Sequence, residues 1–306
     1  MEKIDGIVWD YGPNDKIEFF DASKSYYITR YRPINKTSGL DFNPDWFRQA
    51  ATNKLTTGRY SPSNLSLGSK THRDWWKEQL RRCVEGYEVN GYRLTGDNYF
   101  WLNYYRLKQN TQGEKASAGR KLSFPIFLVY QYEYFHYVEI CEILKKDVGL
   151  LKSRGIGFSE LAANLCVRPF ITTPNYRTVA SAYSEKHLKP LLSKIWSQLN
   201  WLNEETETAF KRVRMVTDTN MHKKASKKNK DGTEAPDSHN SEIEGIIADS
   251  AEKIRGDRTE KLFYEECGSD KIFKQKWIQG EALVNVMEEK IGIRVGWGTG
   301  KHYQII

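Results

Sequence analysis

The sequence predicts an α/β fold with a mainly parallel central sheet and helices on both faces. Three observations support this. An apolar strand passes through a glycine turn into a helical pattern at residues 147–168. A second apolar strand ends in two consecutive glutamates, Glu265 and Glu266. Between the two, buried-strand patterns alternate with amphipathic helices, an order that is typical of parallel sheets.

The glycine turn has the form of a phosphate-binding loop. The run from Lys152 to Ser159 reads KSRGIGFS, in which Gly155 and Gly157 let the backbone approach a ligand closely. The common spelling, G-x-x-x-x-G-K-[ST], has lysine where this chain has Phe158. Because both limbs of a closed loop lie near the phosphates, Lys152 on the entering limb can supply the missing cation. A glycine turn between a strand and a helix, without a ligand, also fits this pattern.

The acidic pair supplies the second half of nucleotide-hydrolysis chemistry. Glu265 and Glu266 close the strand KLFYEE about 105 residues after the loop. In such a pair the first carboxylate orients hydrated Mg²⁺ and the second takes a proton from the attacking water. We therefore predict that Ser159 and Glu265 hold Mg²⁺ and that Glu266 is the general base. Aspartate is usual at the first position, so the longer Glu265 changes the reach to the metal. An acidic pair at a strand end is also common on protein surfaces.

These motifs resemble the ATPase domain of large terminase subunits, the DNA-packaging motors of tailed phages. KSRGIGFSE is similar to a variant phosphate loop of that family, with the lysine displaced to the loop start and an aromatic residue at the usual lysine position. The resemblance covers roughly residues 91–300. It implies a P-loop NTPase core of the additional-strand type at residues 121–306 and an N-terminal aromatic-rich lobe at residues 1–120.

The resemblance also assigns roles outside the acidic pair. Tyr130 and Gln131 are similar to a pair that contacts adenine, and Arg255 and Arg258 lie in an R-G-x-R stretch that could sense the γ-phosphate in cis or from a neighbouring subunit. Thr299 lies in a Gly-Thr-Gly stretch that is similar to a motif that couples hydrolysis to DNA movement in that family, although such a stretch alone is a turn. A turn with exposed arginines and a core helix with a surface glutamine are the structural alternatives. The residues that the resemblance assigns to phosphate binding are Lys152, Ser153, Arg154, Gly155, Ile156, Gly157, Phe158 and Ser159.

The function that the resemblance implies is ATP hydrolysis with Mg²⁺, coupled to translocation of double-stranded DNA. It further implies a portal protein and a small terminase subunit as partners, and a homo-oligomeric ring on the capsid in the host cell cytoplasm. Large terminases carry a C-terminal nuclease, which this chain is too short to include, so we expect a fragment or a split gene product without nuclease activity. A helicase-like translocase and a nucleotide-binding scaffold without efficient hydrolysis are the alternatives.

Composition is consistent with these expectations. The formal charge of +8 and pI of about 9.1 suit a polyanionic partner. Four scattered cysteines without C-x-x-C spacing argue against a zinc site and for a reducing compartment. The sequence has no apolar run of membrane-spanning length and no signal-peptide pattern, so we expect a soluble intracellular protein.

Two local expectations concern the segments after the loop. The helix that follows it should end at or before Pro169. Residues 221–241 are polar and lysine-rich and should form a long mobile loop. Its lysines could contact a DNA backbone or could simply be solvated; they are Lys223, Lys224, Lys227, Lys228 and Lys230.

Overall fold

The computed structural model describes most of the chain, which forms two compact units, Met1–Ile140 and Cys141–Ile306. The described residues are the strand backbones at 2–4, 7–11, 17–21 and 26–31, then 42–109, 121–153, 155–206, 210–212, 215–219, 221–254, 256, 258–287 and 289–298. The domain boundary expected at residue 120 stays a prediction. Across the described part, none of the helices has the length and apolar character needed to span a membrane.

The first unit opens with an antiparallel sheet in which each strand pairs with the next along the chain. Its strands are β1 (Glu2–Ile4), β2 (Ile7–Tyr11), β3 (Ile17–Asp21) and β4 (Tyr26–Tyr31). The elements that follow are α1 (Gln49–Thr57), α2 (Lys70–Glu85), β5 (Tyr87–Val89), β6 (Tyr92–Leu94), α3 (Gly96–Tyr104), β7 (Leu107–Gln109), β8 (Lys121–Ser123) and α4 (Val129–Leu144). Every residue of α3 is buried, so its aromatic side chains form core.

The second unit is built around one large sheet. Its elements are β9 (Val148–Leu151), α5 (Phe158–Thr172), β10 (Arg177–Ala182), α6 (Glu185–Glu205), β11 (Met215–Thr219), β12 (His222–Ala225), β13 (Glu242–Ile247), β14 (Lys261–Glu265), α7 (Phe273–Val284), β15 (Asn285–Val286), β16 (Glu289–Lys290) and β17 (Ile293–Gly298). Seven strands form the sheet in the order β11-β12-β13-β10-β14-β17-β9. The last five of these are mutually parallel, whereas β12 and β11 extend one edge in antiparallel pairing.

Helices cover both faces of this sheet, as predicted. The Phe263 ring packs edge-on against Trp297, which also contacts Phe158 at the start of α5. The next residue along β14, Tyr264, packs instead against Phe273 of α7. Because successive residues of a strand point to opposite faces, α5 and α7 lie on opposite sides of the sheet.

The strand order brings the glycine loop and the acidic pair together at the edge formed by the carboxyl ends of the parallel strands. β17 lies between β9, which leads into the glycine loop, and β14, which ends in the acidic pair. Gly298 pairs with Leu151, and Gly296 pairs with Tyr264, so these three parallel strands end at nearly the same level. A strand inserted between the phosphate-loop strand and the acidic strand is the topology of the additional-strand type of P-loop fold.

The expected end of α5 is wrong. The helix continues through Pro169 to Thr172, although proline cannot donate a backbone hydrogen bond inside a helix. Phe170 and Ile171 of this last turn are fully buried, and burying side chains of this size stabilises by about 1.5–3 kcal/mol each. The gain from their packing offsets the missing bond, and Thr173 N–H closes the helix on the Pro169 carbonyl at 2.9 Å.

The expectation that residues 221–241 form one long loop is wrong for residues 222–225, which form β12. The segment begins with β12, which pairs with β13, and continues in a loop that is bonded to itself. The Ala235 amide donates to the Lys227 carbonyl at 2.8 Å. Lys224 pairs with Glu234, and Lys227 pairs with Asp237, each ten residues along the chain. Opposite charges at this spacing neutralise part of the lysine run.

Candidate active site

The glycine loop joins β9 to α5 in the conformation that its sequence requires. The Lys152 amide donates to the Gly298 carbonyl at 3.2 Å, which ties the entering limb to the neighbouring strand. Gly155 and Gly157 have φ angles of +85° and +75°, in the left-handed region that glycine adopts readily. Gly157 caps α5, so the positive end of the helix dipole lies at the carboxyl edge of the sheet. A helix N-terminus reached through such a turn suits an anionic phosphate.

Lys152 and Glu266 meet across this edge. The Lys152 Nζ lies 3.0 Å from the Glu266 Oε1, and their side chains are only 9% and 19% exposed. Glu266 follows β14 directly and has a φ of +54°, an uncommon conformation for a residue with a side chain. Strained backbone of this kind is concentrated at functional sites. Lys152 and the predicted general base, Glu266, therefore share one site.

Gly298 allows the turn after Glu266 to approach β17. A Cβ atom added at Gly298 would lie 2.5 Å from the Gly268 backbone nitrogen, closer than non-bonded atoms tolerate. Gly268 belongs to the short 3₁₀ turn Cys267–Ser269 that follows the acidic pair. A larger residue at Gly298 would push this turn, and Glu266 with it, away from Lys152.

Ser159 and Glu265 form the second contact of the site. The Ser159 hydroxyl, in the first turn of α5, donates to the Glu265 Oε1 at 3.0 Å. Burial raises the pKa of Glu265 to about 7; the Ser159 hydrogen bond opposes the shift and the negative charge of Glu266 adds to it. The Glu265 Oε2 and the Trp297 Nε1 are buried without a well-aligned hydrogen bond, although the indole is near enough to favour the ionised carboxylate.

This donor set fits a magnesium ion. Mg²⁺ prefers oxygen ligands and is usually bound through one or two protein groups together with substrate phosphates and water. The Ser159 hydroxyl and the Glu265 carboxylate, whose Oε2 accepts no well-aligned hydrogen bond, supply oxygen ligands of this kind. Across the residues that the structure describes, this site included, no group of three or more His, Cys, Asp or Glu side chains is placed to hold a metal ion.

Phe158 is a core residue at the position where the common spelling of the loop has lysine. Its side chain is buried under the helix, with its ring centroid 5.4 Å from that of the fully buried Trp297. A lysine at this position would have to leave that apolar contact or bury its charge. Lys152, which directly follows β9, is also mostly buried, but its charge is paired with Glu266.

Other predicted site residues are not brought together in this way. Arg258 is exposed and precedes β14, whereas Glu265 ends it, so roughly 16 Å of strand separates the two. This placement opposes a γ-phosphate contact by Arg258 within its own chain, and a contact across a subunit boundary stays a prediction. Arg154, Arg255 and Thr299 lie outside the described residues.

The predicted adenine pair belongs to the first unit, and its role stays a prediction. The Gln131 side chain is buried; its Oε1 accepts from the Trp101 indole at 2.9 Å, and its Nε2 donates to the Tyr130 hydroxyl at 3.3 Å. Tyr130 is exposed. Of the two, Tyr130 offers the more accessible surface to a base.

The described structure is similar in part to solved phage terminases. The ATPase domain of the Thermus phage P74-26 large terminase matches at 18% identity and a TM-score of 0.40, over 51% of this chain and 59% of that one. The bacteriophage HK97 large terminase matches at 13% identity and a TM-score of 0.41, over 58% and 34%. The large terminase of a thermophilic bacteriophage, solved in complex with ADP, matches at 10% identity and a TM-score of 0.30, over 50% and 33%.

This chain thus spans between about one third and three fifths of the length of the structures it matches. No family model and no curated protein matches it. What the site can do chemically therefore follows from its own residues.

Sequence reasoning missed two features near this edge. Trp297, which lies between Phe158 and Phe263, was not predicted, although it directly precedes the Gly-Thr-Gly motif. Tyr183 and His187 form a hydrogen bond of 2.7 Å just after β10, whose last residue is in register with Glu265. The signal for this pair was a Tyr and a His four residues apart at a strand-to-helix junction.

Proposed function

We propose that this chain is an ATP-hydrolysing motor of the phage terminase type, which uses Mg²⁺ and moves double-stranded DNA. The observation that supports the proposal best is the joining of four predicted residues at one edge of the sheet. Lys152 contacts Glu266, and Ser159 contacts Glu265, each at 3.0 Å. Two residues from the phosphate loop thereby face two from the acidic strand.

Each residue has a definite role in this proposal. Lys152 and the amides of the loop bind the β- and γ-phosphates of ATP. Ser159 and Glu265 would hold Mg²⁺, which neutralises phosphate charge when bound. Glu266 accepts a proton from water as the water oxygen bonds to the γ-phosphorus and the bond to the bridging oxygen breaks. Before nucleotide binds, Glu266 is ion-paired with Lys152.

The wider assignment follows the same proposal. Tyr130 and Gln131 contact the base, and Arg255, Arg258 and Thr299 act in γ-phosphate sensing and coupling, Arg258 from a neighbouring subunit. The partners are DNA, a portal protein and a small terminase subunit, and the motor works as a ring in the host cell cytoplasm.

Steady-state phosphate release tests the proposal directly. We expect Mg²⁺-dependent ATP hydrolysis by the wild-type chain, with a higher rate when double-stranded DNA is added. ATP hydrolysis that DNA does not stimulate would support an ATPase but contradict the proposed DNA motor. Absence of Mg²⁺-dependent turnover under both conditions would overturn the proposal.

A further inference from the structure

A second polar site lies on the last turns of α6. Trp196, Asn200 and Asn203 are spaced at i, i+4 and i+7, so they share one face of the helix. Lys223 of β12 lies over this face, with its Nζ 5.1 Å from the Trp196 ring centroid and 3.5 Å from the Asn200 Oδ1. The Arg212 amide donates to the Asn203 Oδ1 at 2.9 Å. We call these five residues the α6 cationic site.

The two cations of this site face neutral groups. Within the part of the chain that the structure describes, neither Arg212 nor Lys223 has a carboxylate partner, and the Arg212 Nε is buried without a hydrogen bond. Burial lowers the pKa of Arg212 to about 10 and also lowers that of Lys223. Burial and the Arg212 charge lower the pKa of the adjacent His239 to about 4, so this histidine is neutral at pH 7.

Neighbouring lysines of the same segment behave differently. Lys224 and Lys227 are paired with Glu234 and Asp237. The fold therefore neutralises some charges of the lysine-rich run and leaves Lys223, and the nearby Arg212, without a carboxylate partner among the described residues. A partly desolvated cation without a counter-ion is unfavourable, and an anion with several acceptor oxygens relieves it.

The site is distant from the glycine loop. α6 begins just after the carboxyl end of β10, and the site lies in the second half of its 21 residues. Lys223 pairs with Ile243, the second residue of β13, which places it toward the amino ends of the parallel strands. Lys152 and Glu266 lie at the carboxyl ends.

We propose that the α6 cationic site binds a phosphate group, and that this phosphate belongs to the backbone of double-stranded DNA. The choice of DNA rests on the function proposed above. Three further lysines, Lys211, Lys228 and Lys230, are exposed on the segments that flank the site. A single small anion needs one or two cations, whereas a phosphodiester chain is matched by a series of them.

Lys223→Gln tests the proposal with Lys227→Gln as the matched control. Both substitutions remove one positive charge from the same segment, but Lys227 is already neutralised by Asp237. Binding of the nucleotide-free chain to a short DNA duplex is measured by fluorescence anisotropy at several salt concentrations. We expect Lys223→Gln to weaken binding roughly 5- to 10-fold at 0.1 M salt and to reduce the slope of log K against log salt by about 1. Lys227→Gln should leave the slope unchanged.

The outcomes separate this site from the proposed motor. Lys223→Gln should retain the basal ATPase rate, since it lies far from Lys152 and Glu266. Equal slopes for the two variants would overturn the assignment of DNA. If inorganic phosphate binds the wild type and not Lys223→Gln, while the DNA slope is unchanged, the site takes a free anion and the DNA assignment is wrong. If the wild type binds DNA through Lys223 but does not hydrolyse ATP, the proposed motor function is wrong and the proposed DNA site stands.

Discussion

Lys152 and Glu266 are 114 residues apart in the chain, and their charged atoms lie 3.0 Å apart. Each side chain is mostly buried and neutralises the other. In a chain that hydrolyses ATP, the phosphates would compete with Glu266 for Lys152. Arrival of the nucleotide would therefore release the carboxylate that must accept the proton from water. On the proposed function, the pair would link phosphate binding to activation of the base.

Glu266→Gln separates hydrolysis from binding. Glutamine keeps the shape of the side chain but cannot accept a proton, so we expect turnover to fall about 10²- to 10⁴-fold. Nucleotide affinity should be kept or increased, because the phosphates no longer compete with a charged Glu266 for Lys152. Phosphate release and equilibrium nucleotide binding measure the two effects. Glu281→Gln, which removes an exposed carboxylate of α7, is the control. Turnover equal to that of the control would exclude Glu266 as the base.

Lys152→Ala should mainly lower the affinity for ATP. Loss of a charge-assisted contact to phosphate is worth about 1.5–3 kcal/mol, which corresponds to roughly 10- to 150-fold in affinity. Equilibrium binding of ATP measures the loss, and Lys189→Ala, an exposed lysine near the start of α6, serves as the control. Arg154→Ala belongs in the same series. A large loss in Arg154→Ala with none in Lys152→Ala would assign the phosphate cation to Arg154.

Phe158→Lys restores the common spelling of the loop and should nevertheless be harmful. The Phe158 ring is buried against Trp297, and burial of a ring of this size stabilises the fold by about 1.5–3 kcal/mol, which the substitution would lose. A lysine there must also keep its charge out of the core. We expect a lower denaturation midpoint and no gain in ATP turnover. Phe158→Leu, which remains apolar, should be clearly milder. Higher turnover with unchanged stability in Phe158→Lys would show that Phe158 does not act as a core residue.

Local patterns were enough to predict the separate parts of the site. Gly155 and Gly157 indicated a turn between a strand and a helix, and both have the positive φ angles that favour glycine. The acidic pair followed from an apolar run that ends in two charges. These features depend on neighbouring residues, for which sequence periodicity is informative.

The contacts between the parts could not be derived from local pattern. The pairing of Lys152 with Glu266 depends on β17 lying between β9 and β14, and this strand order is a long-range property of the sheet. Tertiary packing also overrode the local rule that a helix ends at or before a proline. α5 continues through Pro169, and the next residues, Phe170 and Ile171, are buried. The polar run at residues 221–241 gave no hydrophobic signal for β12, whose pairing with β13 sets its structure.

Glu265 should make the stability of the nucleotide-free chain depend on pH. Its pKa is about 7 in the folded chain and near the ordinary 4.5 when unfolded, because burial disfavours the charged form. Between these values the folded chain binds a proton that the unfolded chain lacks. The stabilising contribution is therefore complete below about pH 4.5 and is lost as the pH rises through 7, by at most roughly 1.4 kcal/mol per pH unit.

Glu265→Gln removes this titration, because the amide stays neutral at every pH. We expect the difference in urea midpoint, Glu265→Gln minus wild type, to be larger at pH 8 than at pH 5.5. Glu281→Gln, at an exposed position, controls for the general effect of removing a carboxylate. If the wild-type and Glu265→Gln midpoints run parallel from pH 5.5 to 8, Glu265 does not hold a proton in the folded chain. Its carboxylate would then be ionised beside Ser159 before any metal arrives.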